Sequence, residues 1–154
     1  DLEFKFDATD SEYIFNDTRF ILKEVQAEIM HADKEVPYMT EANGNMIARF
    51  RGAGGNGYEN TPTAYMYNID PFISVSKITF DARLFGSEPI TYNEGAVINV
   101  YYKTDGGWNL LRTIEEELNV EFNSFTIDVN QTNVQIKIEV LHFSVNIDNI
   151  IFNK

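Results

Sequence analysis

The feature that most constrains this chain is a period of two. Ile78, Phe80, Ala82 and Leu84 alternate with Lys77, Thr79, Asp81 and Arg83. The same rhythm returns in Ile98, Val100 and Tyr102, in Phe125, Ile127 and Val129, and in Val134, Ile136, Ile138 and Val140. Neighbouring side chains of a strand point to opposite faces, so each stretch predicts a strand with one apolar and one polar face. Antiparallel strands laid on a shared core satisfy that pattern. Val145 to Phe152 is apolar on both faces apart from Asn146, Asp148 and Asn149, which predicts a central strand or one covered on both sides.

Turn chemistry punctuates the strands. Asp105-Gly106-Gly107 predicts a tight hairpin, because Asp-Gly and Gly-Gly accept positive φ. Asn93-Glu94-Gly95 and Asn130-Gln131-Thr132-Asn133 predict two more turns, and Gly86-Ser87-Glu88-Pro89 breaks the chain after Leu84. In the first half, Leu2 to Phe6 alternates and Met46 to Arg51 predicts a strand. Phe20 to Met30 fits a strand pair or a short helix, and Ile21-Leu22 with Val25 to Ile29 favours the strands. Ala64 and Met66 alternate with Tyr65 and Tyr67, while Gly52 to Asn60, with four glycines, predicts a loop. The expectation is a single domain over residues 1–154, all-β, an antiparallel two-sheet β-sandwich of jelly-roll type with roughly nine or ten strands. The 14% aromatic content suits pleated surfaces.

Charge and residue counts narrow the function. A net charge of -12 disfavours nucleic acid and anionic membranes, which need Lys and Arg, and leaves neutral ligands and Ca²⁺ open. With no cysteine there are no disulfides, no thiolate catalysis and no Cys-based zinc site. No apolar run reaches the roughly 18 residues that a membrane helix needs. The chain opens on Asp1 with no signal-peptide pattern, which leads us to expect a processed protein or an excised domain.

His31 and His142 are the only histidines, and neither accompanies a G-x-S-x-G elbow or an H-E-x-x-H motif. Glu115-Glu116-Glu117 predicts a solvated loop. The expectation is a protein that is not an enzyme.

An ordered series of segments resembles a known group. Val25 to Ile29 precedes Gly44-Asn45-Met46-Ile47-Ala48-Arg49-Phe50-Arg51, then Val75 to Ala82, then Val100-Tyr101-Tyr102-Lys103-Thr104-Asp105-Gly106-Gly107-Trp108, and finally Val145 to Ile150. The series resembles the galactose-binding-like jelly-roll modules of secreted bacterial proteins, a group that includes many carbohydrate-binding modules. It departs from that pattern at Lys103, where the group's hairpin carries serine. The resemblance implies a secreted or cell-surface location and a structural Ca²⁺ where first and last strands meet. Carried onto this chain, the ligands would be Asp148 with Glu3 or Asp7. An unpaired carboxylate at Asp148, between Ile147 and Ile150, is costly to bury; a metal, a hydrogen-bond network or exposure would each resolve that cost.

Sugar recognition needs flat rings for the C–H face of a pyranose and polar groups for its hydroxyls. Trp108 at a hairpin tip, Tyr101 pointing away from the core, Tyr58, Arg49, Arg51 and Asn56 supply the candidates, with Tyr65 and Tyr67 as further rings. The competing expectation is that these rings cover neighbouring strands. The function expected is non-catalytic binding of carbohydrate or glycan by a domain that is itself monomeric. The alternative is a structural or adhesive domain that contacts a surface protein.

Overall fold

A computed structural model of the chain describes residues 2–4, 11–29, 46–52, 63–85 and 95–154. They form β1 (Leu2–Glu3), β2 (Ser11–Phe15), β3 (Thr18–Lys23), β4 (Val25–Ile29), β5 (Met46–Arg51), β6 (Ala64–Asn68), β7 (Phe72–Leu84), β8 (Val97–Lys103), β9 (Asn109–Ile114), β10 (Asn123–Leu141) and β11 (Ser144–Asn153). Every pairing between them is antiparallel. One sheet runs β10-β7-β11-β5-β4, with β1 on β11. The other runs β2-β3-β6-β10-β8-β9. We call them the first and second sheet. The all-β antiparallel sandwich expected from the alternation is the fold observed.

Strand β10 belongs to both sheets. Asn123 to Val134 pair with β7 in the first sheet, and Gln135 to Leu141 lie between β6 and β8 in the second. This corrects the turn expected at Asn130 to Asn133. Asn130 and Asn133 do take positive φ, 51° and 50°, but they bulge and bend one continuous 19-residue strand rather than reversing it. Asparagine tolerates the left-handed region either way, so the residue type alone does not distinguish a bulge from a reversal.

A buried amide holds the crossing point. Asn68 is fully buried at the end of β6. Its Nδ2 donates to the Asp70 and Val134 carbonyls at 2.9 and 3.1 Å, and its Oδ1 accepts from the Ile136 N–H at 2.7 Å. Gln135 Nε2 donates to the Asn68 carbonyl at 3.0 Å. These bonds fix β10 on both sides of the residue pair where it changes sheet.

The alternation places the core as expected. Ile78, Val100, Ile127 and Ile138 are all buried in one cluster with Phe20, Phe50 and Phe80. Each such side chain contributes about 1.5–3 kcal/mol on burial. β11 is central, between β7 and β5, so its apolar character on both faces has a cause. β3 and β4 are two strands with Glu24 between them at φ 54°, which settles Phe20 to Ile29 as a strand pair, Met30 lying outside the described residues. The Asp105-Gly106-Gly107 turn joins β8 to β9 with Gly106 at φ 74°. Gly52 faces the Phe143 and Val140 carbonyls so closely that a Cβ has no room there. The rest of the glycine loop and the Gly86 to Pro89 break lie outside the described residues, as do Asn93 and Glu94.

Candidate functional site

The second sheet turns an aromatic surface away from the core. On β6, Ala64, Met66 and Asn68 point inward, which leaves Tyr65 and Tyr67 outside. On β10, buried Ile136 and Ile138 leave Lys137 and Glu139 outside; on β8, buried Ile98 and Val100 leave Asn99 and Tyr101 outside. Register then aligns the rows. Lys137 lies directly between Tyr67 and Tyr101, and Glu139 between Tyr65 and Asn99. The β8–β9 hairpin carries Trp108 back over the same face, where its ring meets Tyr67 edge-on at 5.5 Å. Tyr65 and Tyr67 stack at 6.0 Å.

Lys137 occupies the centre of this platform. Its Nζ lies 4.7 Å from the Trp108 ring centroid, 4.8 Å from Tyr101 and 5.9 Å from Tyr65. An ammonium over an aromatic face is held by the ring quadrupole, so the cation fixes where the three rings sit. Lys103 Nζ approaches the same indole at 5.5 Å. Glu139 serves two partners: its Oε1 accepts from the Tyr101 hydroxyl at 3.0 Å, and its Oε2 lies 4.0 Å from Lys137 Nζ, the outer limit of an ion pair. Burial pushes the Lys137 ammonium below the ordinary lysine range; Glu139 opposes that fall and Lys103 adds to it. Burial also raises the Tyr101 hydroxyl, with the Glu139 hydrogen bond acting in the same direction. The platform thus offers half-exposed ring faces beside fixed donors and one carboxylate, the materials for gripping a flat polar ligand.

Of the residues expected from the sequence, the structure brings Trp108 and Tyr101 together and joins Tyr65 and Tyr67 to them. Arg49 and Arg51 lie elsewhere, on β5 of the first sheet. The Arg49 guanidinium sits 3.7 Å over the Phe85 ring, and Arg51 is exposed opposite Ser144. Tyr58 and Asn56 fall outside the described residues. Sequence reasoning missed Lys137 and Glu139. Their signal was present, since the β10 alternation assigns both to the polar face, but their convergence with the rings depends on the β6–β10–β8 register.

The acids expected to hold a metal are Asp148, Glu3 and Asp7. Asp148 is half-buried opposite Asp81 across β11 and β7. The Asn149 N–H donates to Asp148 Oδ1 and the Asn149 side chain to Asp81 Oδ2, both at 2.8 Å, while Ser124 donates to Asp81 Oδ1. These bonds engage both carboxylates. Glu3 is exposed on β1 opposite Ile151, and Asp7 lies outside the described residues. Among the described residues, no three His, Asp or Glu side chains converge on one point.

A concavity lies at one end of the sandwich, away from the platform. It measures about 660 Å³, with Leu2, Phe72 and Phe152 in its wall and Asp17 and Asp70 at its polar side. Arg19 holds Asp70 through a 2.8 Å ion pair, and this hydrogen-bonded partner lowers the carboxyl to about 2. Aromatic rings of the described residues gather at this end inside the core, with Phe4 edge-on to Tyr13, Phe15 and Phe20, rather than facing solvent.

No family model matches the chain, and no curated protein matches its sequence. Solved structures match its fold. A CBM29-2 variant, a family 29 carbohydrate binding module complexed with mannohexaose, is similar with a TM-score of 0.52 and 12% identity, over 94% of this chain and 86% of that one. The K1 cleaved adhesin domain of Lys-gingipain from Porphyromonas gingivalis W83 is similar with a TM-score of 0.52 and 16% identity, over 88% and 94%. The K2 cleaved adhesin domain of Lys-gingipain gives 0.52 and 13%, over 85% and 90%. At such identities the likeness is one of fold: a carbohydrate-binding-module-like β-sandwich, shared with adhesin domains and non-catalytic binding modules.

Proposed function

We propose that this chain is a non-catalytic glycan-binding module of a secreted or cell-surface protein, and that the second-sheet platform is its binding surface. The observation that carries this reading is the meeting of Tyr65, Tyr67, Tyr101 and Trp108 on one outward face, around Lys137 and Glu139. Rings stack on the apolar side of a pyranose, and Glu139 and Lys103 supply hydrogen bonds to its hydroxyls. The matched module bound to mannohexaose lends the fold-level support.

A glycan array probed with the intact chain tests this. Binding is expected to at least one glycan class, with a change in Trp108 emission and loss of signal in Trp108→Ala and Tyr67→Ala. A structural or adhesive domain is the second reading, supported by Ile73, which is 89% exposed on β7. Silence on the array together with capture of a partner protein that is lost in Ile73→Ser would replace the first reading by the second. Structural Ca²⁺ at the Asp148 end is also proposed. EDTA should then lower the melting temperature, and an unchanged melting curve removes the ion.

A further inference from the structure

The platform runs against the charge of the molecule that carries it. The chain has a net charge of -12, yet two ammonium groups, Lys103 and Lys137, approach the single Trp108 ring at 5.5 and 4.7 Å. Lys23 adds a third cation at the edge of the same face, opposite Tyr65. Against the central pair stands Glu139, and its carboxylate is divided between Lys137 and the Tyr101 hydroxyl. Among the described residues no ion pair joins Lys103 to an acid. Among the described residues, Glu12 on this face lies on β2, three strands from β10, and Asp105 is exposed in the β8–β9 turn, two residues from Lys103. Strands stand about 4.8 Å apart, so Glu12 is farther away than the roughly 8–10 Å over which salt lets exposed charges act on one another. The same screening weakens the pull of the more distant acids on this corner.

We infer that the glycan recognised is an anionic one, a pyranose bearing a carboxylate or a sulfate, stacked on the Trp108–Tyr67 corner with its anionic group at Lys103 and Lys137. This inference rests on the platform being the glycan site. A neutral sugar leaves Lys137 with a carboxylate it shares with the Tyr101 hydroxyl and brings no countercharge to Lys103. An anionic sugar brings the missing countercharge to a place where desolvation already works against the Lys137 charge. Two cations flanking one indole let a single residue deliver both parts of the ligand, its apolar face to the ring and its charge to the amines.

The experiment is an array of oligosaccharides in matched neutral, uronate and sulfated forms, followed by titration calorimetry of the intact chain at low and high salt. The anionic forms are expected to bind about tenfold tighter than their neutral partners, the order of a charge-assisted hydrogen bond. That advantage should shrink as salt rises. Lys103→Gln should cancel it while leaving the melting temperature unchanged. The comparison of uronate with sulfate identifies the anionic group. If neutral forms bind as tightly as anionic ones, and Trp108→Ala abolishes both, the platform stands and the anionic preference falls. If no form binds, both fall. If the preference survives Lys103→Gln and high salt, it does not arise from these amines and the inference is overturned.

Discussion

The two outward faces of the sandwich read alike in sequence and differ in what covers them. On the first sheet, Ile47, Arg83 and Asn146 point away from the core and are nonetheless buried. Arg49 lies over Phe85, and Arg83 lies 5.4 Å from the Phe122 ring. On the second sheet, Tyr65, Tyr67, Tyr101, Trp108 and Lys137 remain half-exposed. Period-two alternation tells which face a side chain takes, but not whether that face meets solvent. Arginine on the covered face therefore packs, while rings on the open face are available to a ligand.

The comparison can be broken first at the strand that both sheets share. Asn68→Ala removes the amide that holds β10 where it changes sheet and leaves the Ile136 N–H and Val134 carbonyl buried without that partner; a loss of about 3 kcal/mol is expected in urea unfolding. Trp108→Ala is next. It should cost about 1–2 kcal/mol of glycan affinity while shifting unfolding by less than about 0.5 kcal/mol. Arg49→Ala should do the opposite, lowering stability by about 1 kcal/mol through lost packing over Phe85 and leaving glycan titrations unchanged. Weaker binding in Arg49→Ala would erase the division between the faces. The smallest effect is expected at the exposed Arg19–Asp70 pair. Asp70 has a lowered folded pKa of about 2, so the stability it lends is present above its unfolded pKa near 3.8 and is lost as pH falls towards 2. Asp70→Asn should then melt slightly below the parent at pH 6 and together with it at pH 2.

Much of this was legible from local pattern. The alternation of Ile78 to Leu84 and of Val134 to Val140 was sufficient for the sheets and their inner layer, and the outward direction of Tyr101 followed from Val100 and Tyr102. What escaped depends on pairing at long range. Asn130 and Asn133 have the same chemistry in a bulge as in a turn, and only the partners on either side, β7 before and β6 with β8 after, decide between them. Lys137 reads in sequence as an ordinary polar-face lysine; two tyrosines from strands far apart in the chain give it a setting. Arg49 and Arg51 carried the right chemistry for a hydroxyl, but nothing local assigns a strand to one sheet or the other. Lys103, where the sequence departs from the pattern it resembles, stands beside the indole.

The shared strand has a mechanical consequence. Because one unbroken backbone serves both layers, a load applied through Lys137 and its neighbouring rings passes along peptide bonds into the ladder with β7, without relying on side-chain contacts between layers. A module tethered through this surface is therefore anchored into its far layer by covalent chain, so tension would have to shear two ladders at once before the layers could part.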